Sequence, residues 1–501
     1  MAFEFISDAF QVAFTPVNLL ALLLSTFFGV IVGILPGLTA TMAVALLTGL
    51  TFGFGPEIAV ISLVGVYTGA ISGGSQAGIL LNIPGTVASA GTVVDGYPMN
   101  KQGKAGLAIF LATAGSMFGT FIGVIFVLLF TPPLARLGLQ FQSYEFFMLA
   151  LFGVMICGNL TGGDPIKGWM AGFIGLLLAT IGMDPISGLS RFAFDIQPLR
   201  GGLPLIPFMI AIFGIPEIFK IFGEKQEHRP ETTGYKFSEG AKIMGKNAPT
   251  VVRSGIIGTL LGIVPGVGED VGGWMSYSAT KTFAKDKSQF GKGDPRGVIA
   301  VETGANASKT GALIPVLSLA IPGSTSAAIM LAAFFMHGIR PGPLLMNENP
   351  GFVSQIAVFF FLSAVVMFFV VIALTKVSVK ILSVKTEILM PIIFVFCAIG
   401  SYLVRYTMFD MQVLLIGGIV GFLLLYAKFP AAPMLLGMVL GQMAEANLIR
   451  GLMLSNGSLV PFVTRPISLV FVIIVALMVA MSVVAAVRKA MVRKKPDAAD
   501  A

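Results

Sequence analysis

Charged residues are unusually scarce in this sequence. Of its 501 residues only 11% are Asp, Glu, Lys or Arg, and 56% are hydrophobic, whereas soluble globular chains carry about 25% charged residues. Residues 9–56 contain no charged residue or histidine, and uncharged runs also cover 58–94, 105–135, 310–336, 349–375 and 466–487. A membrane span needs about 20 apolar residues, so the first run could cross twice. This excludes a soluble enzyme, a disordered chain and a nucleic-acid binder, and indicates a multi-pass membrane protein.

Cysteine and histidine are also rare, with two of each. Cys157 and Cys397 lie inside apolar segments, which favours packing over redox or metal chemistry. His337 could titrate near neutral pH, although a single histidine beside a glycine-rich turn is more often structural. The N-terminus has acidic residues and no basic region before its apolar stretch, so we expect no cleaved signal peptide. No cofactor is expected.

Basic residues orient the second half of the chain. Lysines at 376, 380 and 385 and the basic tail at 488–501 indicate two cytoplasmic segments, because membrane proteins concentrate Lys and Arg on that side. Four spans fit between these segments, near 388–404, 411–427, 430–447 and 466–487. We therefore predict a cytoplasmic C-terminus. The net charge of +8 has the same explanation.

The predicted fold class is an all-α polytopic membrane protein with about 10–14 membrane-embedded elements. We divide it into a first membrane repeat with associated spans at 1–222, a polar cytoplasmic linker at 223–250, a second repeat with associated spans at 251–487, and the tail at 488–501. The linker is too short and too polar to fold as a domain of its own.

Three segments recur in the same order in the two halves. GILPGL at 33–38 matches GIVPGV at 262–267, LNIPGT at 81–86 matches LAIPGS at 319–324, and DGYP at 95–98 loosely matches HGIR at 337–340. Pro and Gly interrupt apolar helices here, and a broken helix survives in a membrane only inside the protein or beside a water-filled cavity. The chain is therefore predicted to contain an internal duplication with broken helices and re-entrant hairpins.

The two repeats are predicted to be inverted. Residues 48–56, after the first Pro-Gly break, carry no charge, whereas residues 280–296, after the second, carry four Lys and one Arg. The positive-inside rule places these segments on opposite sides of the membrane. Paired broken helices in inverted repeats are typical of the binding site of a secondary transporter. Simple kinks in packed helices are the alternative.

The longest motifs resemble those of a known family. They are GILPGLTATMAVAL, GGSQAGILLNIPGTVASAGTVVDGYPMNKQGKAGLA, GIVPGVG, VETGANASKTGALIPVLSLAIPGS and HGIRPGPLL. With these motifs in both halves, the chain resembles the large membrane subunit of the bacterial tripartite tricarboxylate transporters over nearly its whole length. It departs from the family pattern at residues 302–307, which read ETGANA, and at Glu269 and Asp270.

The resemblance implies a transport system of three parts in the bacterial inner membrane. The partners would be a small membrane subunit of about four spans and a periplasmic solute-binding protein. The imported substrate would be a tricarboxylate or a related carboxylate, and symport with Na⁺ or H⁺ would drive it without nucleotide. The chain contains no G-x-x-x-x-G-K-[ST] motif, which is consistent with that expectation.

Two groups of residues are predicted to form the transport site. Helix N-termini and hydroxyls at the hairpin tips suit a carboxylate, and carbonyls and hydroxyls at the breaks suit a cation. The tip candidates are Asn82, Pro84, Gly85, Thr86, Pro322, Gly323, Ser324 and Thr325. The ion-coupling candidates at the breaks are Gly37, Thr39, Thr41, Gly266 and Gly268. Small-residue packing and hydroxyl bonds to the local backbone are the alternatives.

Charged residues inside a membrane indicate function. Glu302, Asn306 and Lys309 are spaced four and three residues apart, so they share one helix face. Lys309 and Asn306 are substrate-binding candidates, although Lys309 could instead pair with Glu302, a candidate for ion coupling. Asp270, with Glu269, could bind Na⁺ or H⁺ or belong to a solvated interfacial cluster. Asp95 could cap a helix or a turn.

Three other functions remain open at this point. A carrier that needs no binding protein would use the same site. An intramembrane enzyme would need clustered catalytic groups such as HExxH or GxSG, and the sequence contains neither motif. A channel is disfavoured, because channels more often assemble short chains than duplicate broken helices within one chain.

Overall fold

The structure, a computed structural model, describes residues 2–35, 38–160, 165–184, 188–221, 236–382 and 386–493. Predictions for Gly37, for residue 222 of the first repeat, for residues 223–235 of the linker, for Lys385 and for residues 494–501 of the tail fall outside the described residues. The described part is almost entirely helical, as predicted, and forms two compact units, Met1–Leu139 with Pro204–Tyr426 and Gln140–Leu203 with Ala427–Ala501. The limits of these two units neither support nor contradict the predicted segment boundaries at residues 222, 250 and 487.

The first unit contains the repeated segments of both halves, at 33–98 and 262–340. Its first six helices are α1 (Ala2–Ala13), α2 (Pro16–Ile34), α3 (Ala40–Leu50), α4 (Pro56–Leu81), α5 (Ala90–Lys101) and α6 (Ala105–Gly138), with a 3₁₀ turn at Val87–Ser89. The second unit follows with α7 (Ser143–Leu160), α8 (Pro165–Ala179) and a hairpin of two short strands, β1 (Gly182–Met183) and β2 (Ser190–Arg191).

The chain then returns to the first unit, after a 3₁₀ turn at Gln197–Gly201. The helices there are α9 (Leu205–Ile221), α10 (Phe237–Lys246), α11 (Ala248–Ile263), α12 (Gly268–Phe283), α13 (Pro295–Gly311), α14 (Leu313–Leu319), α15 (Thr325–Met336), α16 (Leu345–Glu348), α17 (Phe352–Leu382), α18 (Thr386–Arg405) and α19 (Met408–Tyr426). The second unit ends with α20 (Ala431–Leu454), α21 (Val460–Thr464) and α22 (Pro466–Arg493).

Six helices of the described residues are long and apolar enough to cross a membrane, namely α2, α4, α6, α17, α19 and α20. Helices α18, α19, α20 and α22 lie at the predicted spans near 388–404, 411–427, 430–447 and 466–487, and of these α19 and α20 are among the six. The core of the first unit is α4, which is buried along almost its whole length. Its high share of Gly, Ala and Ser lets neighbouring backbones approach closely.

The duplication predicted from the sequence is visible in the helix order. In the first repeat α2 packs against α4, and in the second repeat α11 packs against α13. Each pair is followed by a tip whose first residue is left-handed, Asn82 (φ 63°) or Ala320 (φ 58°). The two segments therefore share one backbone design.

The repeats also run in opposite directions, as predicted. The Ser72 hydroxyl on α4 donates to Asn306 Oδ1 on α13 over 3.3 Å, so the two helices cross. Asn100 near the end of α5 donates to the carbonyl of Leu80 near the end of α4. Gln102, just after α5, donates to the carbonyl of Lys292, just before α13. Helix α4 thus ends on the side where α13 begins.

Asp95 joins the two repeats on that same side. Its Oδ1 accepts the backbone N–H groups of Gly291, Gly293 and Asp294 at 2.8–2.9 Å, and its Oδ2 accepts the Tyr277 hydroxyl at 3.0 Å. The carboxylate is fully buried, and these charge-assisted bonds compensate its desolvation. Asp95 therefore fixes the loop between α12 and α13 onto α5, in place of the helix or turn cap considered above.

Candidate functional site

The two hairpin tips have the same geometry. The Gly85 N–H donates to the Gly74 carbonyl at 3.1 Å, and the Gly323 N–H donates to the Ala312 carbonyl at 3.3 Å. A Cβ at either glycine would collide with backbone, including the carbonyl of Gly33 in the first repeat and of Gly262 in the second. Close packing therefore accounts for glycine at both tips.

The tips differ in exposure. Asn82 and Pro84 are exposed, whereas Pro322, Gly323 and Ser324 are buried. Thr86 is buried, caps the 3₁₀ turn and exchanges hydrogen bonds with Ser89. Thr325 is half-buried at the start of α15. The described residues contain no hydrogen bond between the two tips, so each tip belongs to a separate contact network.

Helix α13 carries a buried polar cluster, which we call the α13 cluster. Glu302 accepts hydrogen bonds from Thr92 and from Ser116, the latter at 2.9 Å. Lys309 Nζ donates to Asn306 Oδ1 at 3.0 Å and to Thr120 Oγ1 at 3.3 Å. These side chains come from α5, α6 and α13, and all of them are buried.

Lys309 is fully buried and lies 5.7 Å from the centre of the Phe360 ring. Among the described residues it forms no ion pair, with Glu302 or with any other carboxylate. The alternative in which Lys309 neutralises Glu302 by direct pairing is therefore not what the structure has. A buried ammonium with only neutral hydrogen-bond partners and one aromatic face is costly, and it is suited to receive an anion.

A second cluster forms where three helices begin, and we call it the N-terminal cluster. Thr41, Glu269 and Ser326 are the second residues of α3, α12 and α15. Ser326 Oγ donates to Glu269 Oε1 at 3.0 Å, and Thr41 Oγ1 lies 3.0 Å from Ser326 Oγ. Each helix N-terminus carries about +0.5 elementary charge, so this junction is an electropositive point inside the protein.

The second tip belongs to the N-terminal cluster. Ser324 caps α15 by accepting the Ala327 N–H at 3.1 Å, and its Oγ lies 3.2 Å from the hydroxyl of Tyr67 on α4. Thr39 caps α3 in the same way, accepting the Met42 N–H. The predicted residues Thr39, Thr41 and Ser324 are thus brought together from two repeats.

The second break connects the two clusters. Gly266 and Gly268 have positive φ angles of 79° and 58°, which the backbone needs in order to turn from α11 into α12. The Gly268 carbonyl accepts the Ser308 hydroxyl at 2.8 Å. Because Ser308 precedes Lys309 and Gly268 precedes Glu269, this bond makes the two clusters adjacent.

Glu269 and Asp270 differ in burial, although they are neighbours at the start of α12. The prediction included Asp270 among the ion-coupling candidates, but its side chain is exposed, whereas Glu269 is 5% exposed and lies inside the N-terminal cluster. Glu302 is buried as expected. Among the described residues no three His, Cys, Asp or Glu side chains gather as a metal site.

Several contacting residues were not among the site residues predicted from the sequence. They are Tyr67, Ser72, Thr92, Ser116, Thr120 and Ser326. Only Tyr67 has a visible signal, since it is the one aromatic residue in the uncharged run 58–94. The others are small hydroxyl residues in apolar helices, and they meet α13 or α12 from distant parts of the chain.

Comparisons with known proteins agree with this architecture. The family model described as the tripartite tricarboxylate transporter TctA family matches residues 19–436. An uncharacterised 52.8 kDa protein in the TAR-I ttuC' 3' region of Agrobacterium vitis is 35% identical over 468 residues, 92% of each chain. An uncharacterised protein in the TAR-II ttuC' 3' region of the same species is 34% identical over 211 residues, 42% of this chain and 87% of that protein.

No solved structure matches the chain. The family match covers both repeats and every candidate residue discussed above. The larger relative extends the likeness over almost the entire length of both proteins. The chain therefore belongs to the tripartite tricarboxylate transporter TctA family.

Proposed function

We propose that this chain is the subunit through which a tripartite system imports a tricarboxylate or a related carboxylate. It works in the bacterial inner membrane with its C-terminus in the cytoplasm. A periplasmic solute-binding protein delivers the substrate, and a small membrane subunit of about four spans completes the complex. A gradient of Na⁺ or H⁺ drives the transport, without nucleotide and without a bound cofactor.

The meeting of three helix N-termini beside the second tip is the observation that supports this proposal. Helix N-termini bind carboxylates through free N–H groups and a positive dipole end. Thr41 and Ser324 add hydroxyl groups at the same point, and Ser326 beside them donates to Glu269. The hydrogen bond between Ser308 and Gly268 brings the α13 cluster next to the N-terminal cluster. The buried ammonium of Lys309 can therefore bind a second carboxylate group of the same substrate. A multivalent acid therefore fits better than a monovalent one.

The breaks supply the proposed path for the cation. Gly266 and Gly268 interrupt the helix beside the N-terminal cluster, so that backbone carbonyl groups lie near it. Thr39 and Thr41 of the first repeat lie at the same cluster. Antiparallel repeats give the same site access from either side when one repeat moves against the other. This arrangement suits a secondary carrier.

The test is uptake of radiolabelled citrate into proteoliposomes that contain this chain, the small membrane subunit and the cognate binding protein. We expect accumulation that requires a Na⁺ or H⁺ gradient and the binding protein. Undiminished uptake without the binding protein would favour the self-sufficient carrier. Absence of uptake for citrate and for a panel of di- and tricarboxylates would contradict the proposed substrate class.

The site is tested with Ser326→Ala. Loss of a hydroxyl donor to a charged group corresponds to about 1.5–3 kcal/mol, so we expect KM for the carboxylate to rise at least about 10-fold. The matched control is Ser318→Ala on α14, where the hydroxyl is buried but donates to Ile314 of its own helix. Equal KM values for the two variants would place the substrate elsewhere.

A further inference from the structure

Glu269 is a buried carboxylate in which only one of the two oxygens accepts a hydrogen bond. Its Oε1 accepts the Ser326 hydroxyl, while its Oε2 has no hydrogen-bond partner among the described residues. The side chain is 5% exposed, so bulk water does not replace the missing partner. Buried oxygens without a partner are rare in proteins and point to a ligand.

The other acids of this region differ from Glu269. Both Glu302 oxygens accept hydroxyl hydrogens, from Thr92 and Ser116, so that carboxylate is satisfied by the protein alone. Asp270 is exposed at the surface of the protein, so its carboxylate is not enclosed by other side chains of the chain. Among these three acids, only Glu269 combines burial with a free oxygen.

The position of Glu269 is also the position expected for the substrate. Its carboxylate lies where the N-termini of α3, α12 and α15 meet, which together carry about +1.5 elementary charges. One carboxylate balances most of this charge. A second carboxylate, from the substrate, would be repelled by the first, because two like charges in one buried site cannot both stay ionised at low cost.

We propose that Glu269 is the coupling carboxylate, and that one monovalent cation, H⁺ or Na⁺, must neutralise it before a carboxylate group of the substrate can enter the N-terminal cluster. This inference rests on the proposed function. In the proton form, H⁺ from solvent adds to Oε2 and gives a neutral carboxyl group, and no other bond changes. In the sodium form the ion sits on the same oxygen. Either way the cation and the anion bind together and leave together, which is symport.

The groups facing Glu269 fit this role. Helices α3 and α15 contain no charged residue. The Tyr67 hydroxyl of α4 faces Glu269 as a potential hydrogen-bond donor, and Lys309 of α13 and Asp270 of α12 itself interact with Glu269 electrostatically. Arg253 of α11 lies at the other end of α12, beside Thr280. Lys309 lies outside the N-terminal cluster and forms no ion pair among the described residues, so its ammonium can attract the incoming anion.

The experiment compares wild type, Glu269→Gln and Asp270→Asn as purified complexes. Citrate affinity and thermal unfolding are measured against Na⁺ at fixed pH, with choline as replacement, and against pH without Na⁺. In wild type and in Asp270→Asn we expect either Na⁺ or acid to raise citrate affinity at least 10-fold. The coupling ion is Na⁺ if the Na⁺ series shows this rise and H⁺ if the pH series shows it. In Glu269→Gln we expect citrate affinity to be independent of both, citrate exchange to persist and gradient-driven accumulation to be lost.

Three results would overturn the inference. The first is a Glu269→Gln variant that keeps the cation dependence of wild type. The second is a folded Glu269→Gln variant that no longer binds citrate under any condition. The third is loss of cation dependence in Asp270→Asn.

Failure of the proposed function is recognised separately. In that case wild type binds and accumulates no carboxylate at any pH or Na⁺ concentration. The cation-dependent shift in unfolding temperature then still decides whether Glu269 binds the cation. A shift that disappears in Glu269→Gln supports the site, and a shift that persists contradicts it.

Discussion

In the first repeat, the α4 positions that correspond to Glu302, Asn306 and Lys309 of α13 are Val64, Thr68 and Ile71. The correspondence follows from the tips, where Gly85 and Gly74 occupy the places of Gly323 and Ala312. At the breaks, Ala40 stands where the second repeat has Glu269.

The comparison distinguishes features that stabilise the fold from residues that could take part in transport. Left-handed first residues, close glycine packing and capped helices occur in both repeats and therefore serve the fold. Buried charge at these positions occurs only in the second repeat, and it costs stability. A feature that one copy folds without is not required by the architecture. The charges of α12 and α13 are therefore the residues to test for transport.

The largest expected effect comes from making α13 resemble α4. Lys309→Met removes the buried charge and keeps the length of the side chain. We expect citrate uptake to fall at least about 100-fold, equivalent to roughly 3 kcal/mol for losing a buried charge interaction with the anion. Thermal stability should be unchanged or higher, because Lys309 forms no ion pair with any described residue that the substitution could break. Ile71→Met is the control in the first repeat and should transport normally. Normal uptake by Lys309→Met would remove this residue from the site.

The sequence predicted the scaffold that the two repeats share, but not the side-chain contacts between distant helices at the α13 cluster. The spans, the duplication, the inversion and the shared face of Glu302, Asn306 and Lys309 follow from periodicity, charge asymmetry and repeated motifs. Periodicity along one helix cannot reveal which hydroxyl of another helix faces it. Ser116 and Thr92 are separated from Glu302 by 186 and 210 positions, and each reads as an ordinary small residue in an apolar helix.

Adjacent acids were equally indistinguishable in the sequence. Glu269 and Asp270 follow the same break, and their burial depends on how the first turn of α12 is rotated against α15 and α3. One residue of helix turns a side chain by about 100°, which is enough to separate an exposed acid from a buried one.

An intermediate effect is expected for the donors to Glu302. Thr92→Val preserves shape but leaves one carboxylate oxygen without its donor, so we expect the free energy of unfolding to fall by about 1–3 kcal/mol. The counterpart control is Thr68→Val on α4. There the partner, Ser363, keeps a 2.9 Å bond to the Phe360 carbonyl, so the loss should stay below about 1 kcal/mol. Thermal unfolding in detergent measures both, and equal losses would mean that the charge of Glu302 does not set the cost.

The smallest effect concerns the scaffold that both repeats share. Ala320 has a φ of 58°, and Asn82 a φ of 63°. A left-handed conformation costs a residue such as alanine about 1–2 kcal/mol, and asparagine tolerates it better. Ala320→Gly should therefore relieve strain, partly offset by the greater freedom of glycine in the unfolded chain, for a net gain of at most about 1 kcal/mol. Asn82→Gly should change stability by less. If Ala320→Gly instead lowers the unfolding temperature more than Asn82→Gly does, the alanine methyl contributes packing at the buried tip that the exposed tip does not need.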